Sequence, residues 1–139
     1  EVVDHAFHFD MRRDGQQGIE VLDYRYGDSK LPVRADVADV KSGNTFGWES
    51  IRGPMRRGDF LYVKWRVKDS GQVYEDTVDL RSRLPNDIKD CTVYFMIHGS
   101  QLYVYLITPQ KRAKDEPPNG PRMYNDLRTL TIYPDQPQR

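Results

Sequence analysis

This sequence has a single cysteine, Cys91, so neither an intramolecular disulfide nor a cysteine metal cluster can form. It also has no net charge: 21 Lys and Arg stand against 21 Asp and Glu, leaving no overall field to attract nucleic acid or an anionic bilayer. Any electrostatic recognition must be local. No apolar run approaches the ~20 residues a membrane-spanning helix needs, and no signal-peptide hydrophobic region is visible. The G-x-S-x-G elbow, the phosphate loop and the dinucleotide fingerprint are all missing. Ser100 follows a glycine but falls in a hairpin turn, and neighbouring strand side chains point apart, which argues against a triad with His98. No long stretch carries a helical period.

What is there is strict alternation. Cys91, Val93, Phe95 and Ile97 alternate with Thr92, Tyr94, Met96 and His98, then Leu102, Val104 and Leu106 with Tyr103, Tyr105 and Ile107. A two-residue type II′ turn at Gly99-Ser100 would pair Ile97 with Leu102, Phe95 with Val104 and Val93 with Leu106. The other face would then pair Met96 with Tyr103 and Tyr94 with Tyr105. A slip of one residue breaks both matches. A second hairpin runs from Asp59 to Leu80; a turn centred on Ser70-Gly71 pairs Val67 with Tyr74, Val63 with Val78 and Leu61 with Leu80. It sets Trp65 opposite Asp76, a carboxylate on an apolar face, best read as a sheet-edge group or a hydrogen-bond acceptor.

Around these hairpins, Val3 to Met11 and Ile19 to Tyr26 alternate as strands and are expected to form a meander. From Gly27 to Gly58 the pattern weakens into short strands or extended loop, the stretch best suited to a functional loop. Leu84 to Asp90 suits one helical turn. Residues 110–122 read as a mobile surface loop, Leu127 to Tyr133 as a last strand, and 134–139 as a tail. The expectation is a single all-β domain spanning 1–139: an antiparallel two-layer sandwich of about seven to nine strands with at most one short helical turn. A partly open barrel is the alternative.

Chemistry-bearing clusters are few. Asp4, His8 and Asp10 share a face of the first strand, but residues two apart lie roughly 6.5 Å apart and four apart roughly 13 Å, too far to share one ion without a bulge. A solvated polar face is the expectation, a metal-dependent hydrolase the weakest alternative. His5 points the other way and reads as a hydrogen-bonded histidine at the core edge. Cys91 reads as a small buried hydrophobe, and no cofactor is expected. Nine Tyr and two Trp are many for this length, and Tyr24, Tyr26, Tyr62, Tyr94, Tyr103 and Tyr105 all fall on strands. Arg and Trp are over-represented among interface anchors, so Trp48, Arg56 and Arg57 join Tyr94, Tyr103 and Tyr105 as partner-binding candidates.

Four runs carry a resemblance: Glu20 to Asp28, Gly58 to Arg66, Val73 to Arg81 and Gln101 to Ile107. They resemble small bacterial lipoproteins that serve as immunity proteins beside type VI secretion lipase effectors, similar to those of Pseudomonas phospholipase D effectors. The resemblance implies a periplasmic inhibitor, monomeric alone, that blocks a cognate phospholipase and has no activity of its own. Membrane anchoring would come through a lipidated N-terminal cysteine that this chain does not carry. The histidine, lysine and aspartate motif of phospholipase D enzymes is also missing. A cell-envelope or carbohydrate-binding module, with Tyr94, Tyr103 and Tyr105 as its platform, is the alternative.

Overall fold

The computed structural model describes residues 2–28 and 33–135. Its strands are β1 (Val2–Asp10), β2 (Ile19–Tyr26), β3 (Val33–Arg34), β4 (Trp48–Arg56), β5 (Phe60–Val67), β6 (Val73–Asp79), β7 (Thr92–His98), β8 (Gln101–Lys111) and β9 (Leu127–Tyr133). They form two sheets, ordered β4-β1-β7-β8-β9 and β3-β2-β5-β6, packed as a two-layer β-sandwich. Among the described residues no closed barrel forms.

The β7–β8 hairpin has the register its alternation dictates, with Ile97 opposite Leu102 and Tyr94 opposite Tyr105. Gly99 supplies the positive φ of 58° that a side chain would disfavour. The β5–β6 hairpin differs by two residues: Val63 faces Asp76, and Trp65 faces Tyr74. Its loop is four residues long, closed by Val67 N–H donating to Gln72 O at 2.9 Å and Gly71 N–H to Val67 O at 2.8 Å. A shift of two preserves the faces, so Leu61, Val63 and Trp65 still point inward. Asp76 sits on an edge strand and accepts from the Tyr133 hydroxyl at 2.6 Å, linking the edges of the two sheets.

β1 and β2 do not form a meander, since they lie in different sheets. The chain between them is too long for a tight hairpin and wraps the buried Gln16 side chain. That amide donates to Asp10 O at 3.2 Å and Arg13 O at 3.0 Å and accepts from Ile97 N–H at 2.9 Å, fixing the crossing against β7. β1 thereby runs between β4 and β7, antiparallel to one and parallel to the other. In β2 a bulge between Val21 and Asp23 inverts the side-chain phase. Ile19 and Val21 point inward before it and Tyr24 and Tyr26 after it, so both tyrosines are core residues rather than surface rings. Phe7 of the opposite sheet packs against them, at 5.9 and 5.5 Å between ring centroids.

The helical turns are not where the sequence placed one. Leu84 to Asp90 is irregular because Ile88 is drawn into the core and Asp90 adopts a left-handed φ of 62°. One helical turn, α1 (Val37–Lys41), is capped by Asp36, and a 3-10 turn spans Arg122–Tyr124. Gln110 and Lys111 extend β8; beyond them Asn119 Nδ2 donates to Thr129 O at 2.9 Å, holding the return segment against β9.

His5 is fully buried and hydrogen-bonded, as its position on β1 suggests. Val3 O accepts from Nδ1 at 2.8 Å, leaving Nε2 to accept from the Tyr26 hydroxyl at 2.9 Å. Burial lowers the pKa of His5 from 6.5 despite the opposing pull of Asp4, and burial lowers His8 likewise against the charge of Asp10, with Arg12 and Arg13 acting in the same direction as burial. The unfolded chain therefore takes up protons below pH 6.5 that the folded chain refuses. Stability should be flat above that pH and fall on acidification, until the lowered folded values are reached. Urea midpoints measured across this range test it, and a His5→Gln, His8→Gln double variant should lose that part of the slope.

Candidate functional site

The partner-binding residues expected from sequence do not form one cluster. Trp48 opens β4 with 54% of its surface exposed, and the Arg12 guanidinium lies 5.3 Å from its ring centroid. Arg12 is positioned by Asp10, whose carboxylate accepts Nε at 2.8 Å and Nη2 at 3.0 Å, while Arg13 approaches the same group at 3.4 Å. The Arg12 hydrogen bond holds the Asp10 carboxyl below its ordinary pKa, so it remains an anion although almost wholly buried. The expected solvated face of Asp4, His8 and Asp10 is therefore largely covered, with only Asp4 exposed. Among the described residues, no three His, Cys, Asp or Glu side chains converge as a metal site.

Arg56 ends β4, eight residues from Trp48 and hence roughly 26 Å along the strand. Arg57 is half-buried and acts as a brace. Its Nη2 donates to Leu84 O at 2.7 Å and Arg81 O at 3.4 Å, tying the start of the β4–β5 connection to the loop after β6.

The tyrosine platform is also divided. Tyr94 is fully buried, with His8 at 5.0 Å and Tyr124 at 6.0 Å edge-on to its ring, so a partner cannot touch it while the 3-10 turn is in place. Together with Met96 and Ile107 it forms a second, smaller apolar cluster on the outer face of the five-stranded sheet. Tyr103 and Tyr105 remain half-exposed, their rings parallel within 9° and 6.5 Å apart. Gly120 packs against Tyr105, where an added Cβ would lie 3.3 Å from Cγ. His98 lies edge-on to the Tyr103 ring at 5.7 Å.

What the sequence did not reveal is that Trp48–Arg56 is one continuous edge strand. The Met11 N–H to Gly47 O bond at 2.8 Å sets its phase: Glu49, Ile51, Gly53 and Met55 pair with β1, while Trp48, Ser50, Arg52, Pro54 and Arg56 turn outward. All five outward residues are exposed. Pro54 fits such a position because it has no N–H to leave unpaired. The outer row thus carries an indole, a hydroxyl, two guanidinium groups and a proline ring. Exposed Trp and Arg side chains of this kind are the residue types enriched among interface anchors. Searches of protein-family models, of curated proteins and of solved structures each found no match to this chain.

Proposed function

We propose that this chain is an immunity protein that binds a cognate type VI secretion phospholipase effector in the periplasm and blocks its active site. The observation that carries the reading is the Trp48–Arg12 pair, an exposed indole overlaid by a guanidinium that a buried carboxylate orients. An aromatic and Arg anchor held in place before binding loses little conformational freedom on docking, which favours slow dissociation. The resemblance of the four strand runs supplies the partner class. Lipidation of a precursor would place the inhibitor at the membrane where the enzyme works; among the described residues no helix is long and apolar enough to cross a membrane.

Titrating the chain into the phospholipase encoded beside it, with lipid hydrolysis as the readout, should show stoichiometric loss of activity and no turnover by the chain alone. Trp48→Ala should fold normally, because the ring is exposed, and weaken inhibition by about tenfold or more. Full inhibition by that variant removes Trp48 as the anchor; no inhibition by the wild type, or lipid turnover by the purified chain, removes the reading. A carbohydrate-binding module is favoured by one observation, the parallel Tyr103 and Tyr105 rings. Saturable binding of an envelope glycan that disappears with Tyr103→Ala would favour it.

A further inference from the structure

We infer that the outer row of β4 docks an acidic surface of a protein partner through side chains, without strand addition. This inference rests on the inhibitor reading for the partner's identity, while its chemistry comes from β4 itself. Among the described residues, Arg52 and Arg56 have no carboxylate within ion-pair distance, whereas Arg12, Arg13, Arg66 and Arg81 each have one. They flank Pro54 on the same face, roughly 13 Å apart, with Trp48 further along the row. Two guanidinium forks with no carboxylate partner among the described residues, and an aromatic anchor roughly 13 Å further along the row, are complementary to an acidic surface that also offers an apolar contact.

The backbone of β4 argues against a strand joining it. Pro54 offers no donor, and the Ser50 N–H is already taken by Glu49 Oε1 at 3.0 Å, so two of the outward donors are withdrawn from the edge. A bilayer is a poor occupant too. Each basic residue contributes only about 1 kcal/mol at an anionic membrane, so two do not hold the domain there. Asp4, directly across from Pro54 and between the two guanidinium groups, opposes any continuous sheet of negative charge, so the partner's carboxylates must meet the two forks individually. Nucleic acid requires more phosphate contacts than this row can make.

The test is a Kd series between the full chain and the phospholipase encoded beside it. Arg52→Glu with Arg56→Glu should weaken binding by about a hundredfold, and raising salt from about 50 to about 500 mM should weaken the wild type by at least about tenfold. Glu75→Lys with Asp79→Lys, on the far edge strand β6, should change it less than about twofold. A loss below about tenfold on charge reversal, or salt-insensitive binding, overturns the inference while leaving the inhibitor reading intact.

If the wild type does not bind that enzyme, the inhibitor reading falls, and the inference is decided by a soluble peptide of about ten residues alternating Glu and Ser. Saturable binding of that peptide, lost in the Arg52→Glu, Arg56→Glu variant, supports an acidic partner; no binding overturns it. Capture of the wild type by phosphatidylglycerol vesicles or duplex DNA, lost with the same two changes, also overturns it by assigning the row to another class of partner.

Discussion

Trp65→Ala is expected to lower the stability of this domain by about 4 kcal/mol, within the range for truncating a buried tryptophan. The side chain is 1% exposed and projects from β5 into the layer between the sheets, with Tyr74 of β6 beside it at 5.9 Å. Its indole Nε1 also donates to Gly99 O at 2.8 Å, reaching from one sheet to the hairpin turn of the other. Truncation removes apolar burial, leaves a cavity between two sheets that cannot both close on it, and cuts that tie. Most of the loss is packing, because Gly99 is exposed and water can replace the indole as its donor. Trp65→Phe should therefore cost only about 1 to 2 kcal/mol, since it fills most of the space. For a domain of ordinary stability the alanine variant loses a third or more of the total. Chemical denaturation of both variants checks the ratio. Equal losses would mean that the hydrogen bond, not the packing, dominates.

How far the sequence could be read depended on whether the deciding contact was local. In the β7–β8 hairpin, register follows from a two-residue glycine turn and from matched faces that no other alignment satisfies, and both are visible within the segment itself. In β5–β6 the faces were legible but the turn was not, because Lys68-Asp69-Ser70-Gly71 can close as a two- or a four-residue loop with the same inward residues. The bulge in β2 has no local signature. It is imposed by the core, which gains two large rings by turning Tyr24 and Tyr26 inward, and simple alternation from Ile19 and Val21 predicts the opposite. The parallel pairing of β1 with β7 joins segments far apart in the chain and leaves no periodic trace.

The same division holds for the candidate site. Trp48 and Arg56 were legible as residue types, and both are exposed. Tyr94 was misread because the residue that covers it, Tyr124, arrives from a loop beyond β8. The bracing role of Arg57 was not legible because its acceptors are backbone carbonyls, which sequence does not display. Arg52 was missed although a signal existed: Trp48, Ser50, Arg52, Pro54 and Arg56 occupy alternate positions, and a proline in that phase belongs to the open side of an edge strand. The weak apolar character of Glu49, Ile51 and Gly53 on the other phase hid the strand, because an edge needs less burial than a central position.

Gly58→Ala is expected to cost about 3 kcal/mol or more, a large effect for one added methyl group. The position has no unusual φ, so the argument is purely one of space. An added Cβ would lie 2.4 Å from Tyr26 Cε1 and 2.7 Å from Cδ1 and Cζ, far inside contact distance. The ring has nowhere to withdraw. Phe7 stacks on it with centroids 5.5 Å apart, and its hydroxyl both donates to His5 Nε2 and accepts from the Gly58 N–H, each at 2.9 Å. That enclosure also pushes the Tyr26 pKa up to about 12, chiefly through burial. Relief therefore requires moving the β4–β5 connection outward, and that connection is fixed by Arg57 and by the Gly27 backbone packed against Gly58. A melting temperature lower by about 10 °C is the corresponding observable. Gly47→Ala, where nothing lies within 4 Å and φ is ordinary, should leave it nearly unchanged. In a Tyr26→Leu background the Gly58→Ala change should cost much less, since the clashing ring atoms are gone. Additive losses in that double variant would show that Gly58 is required for a reason other than the close approach of this ring.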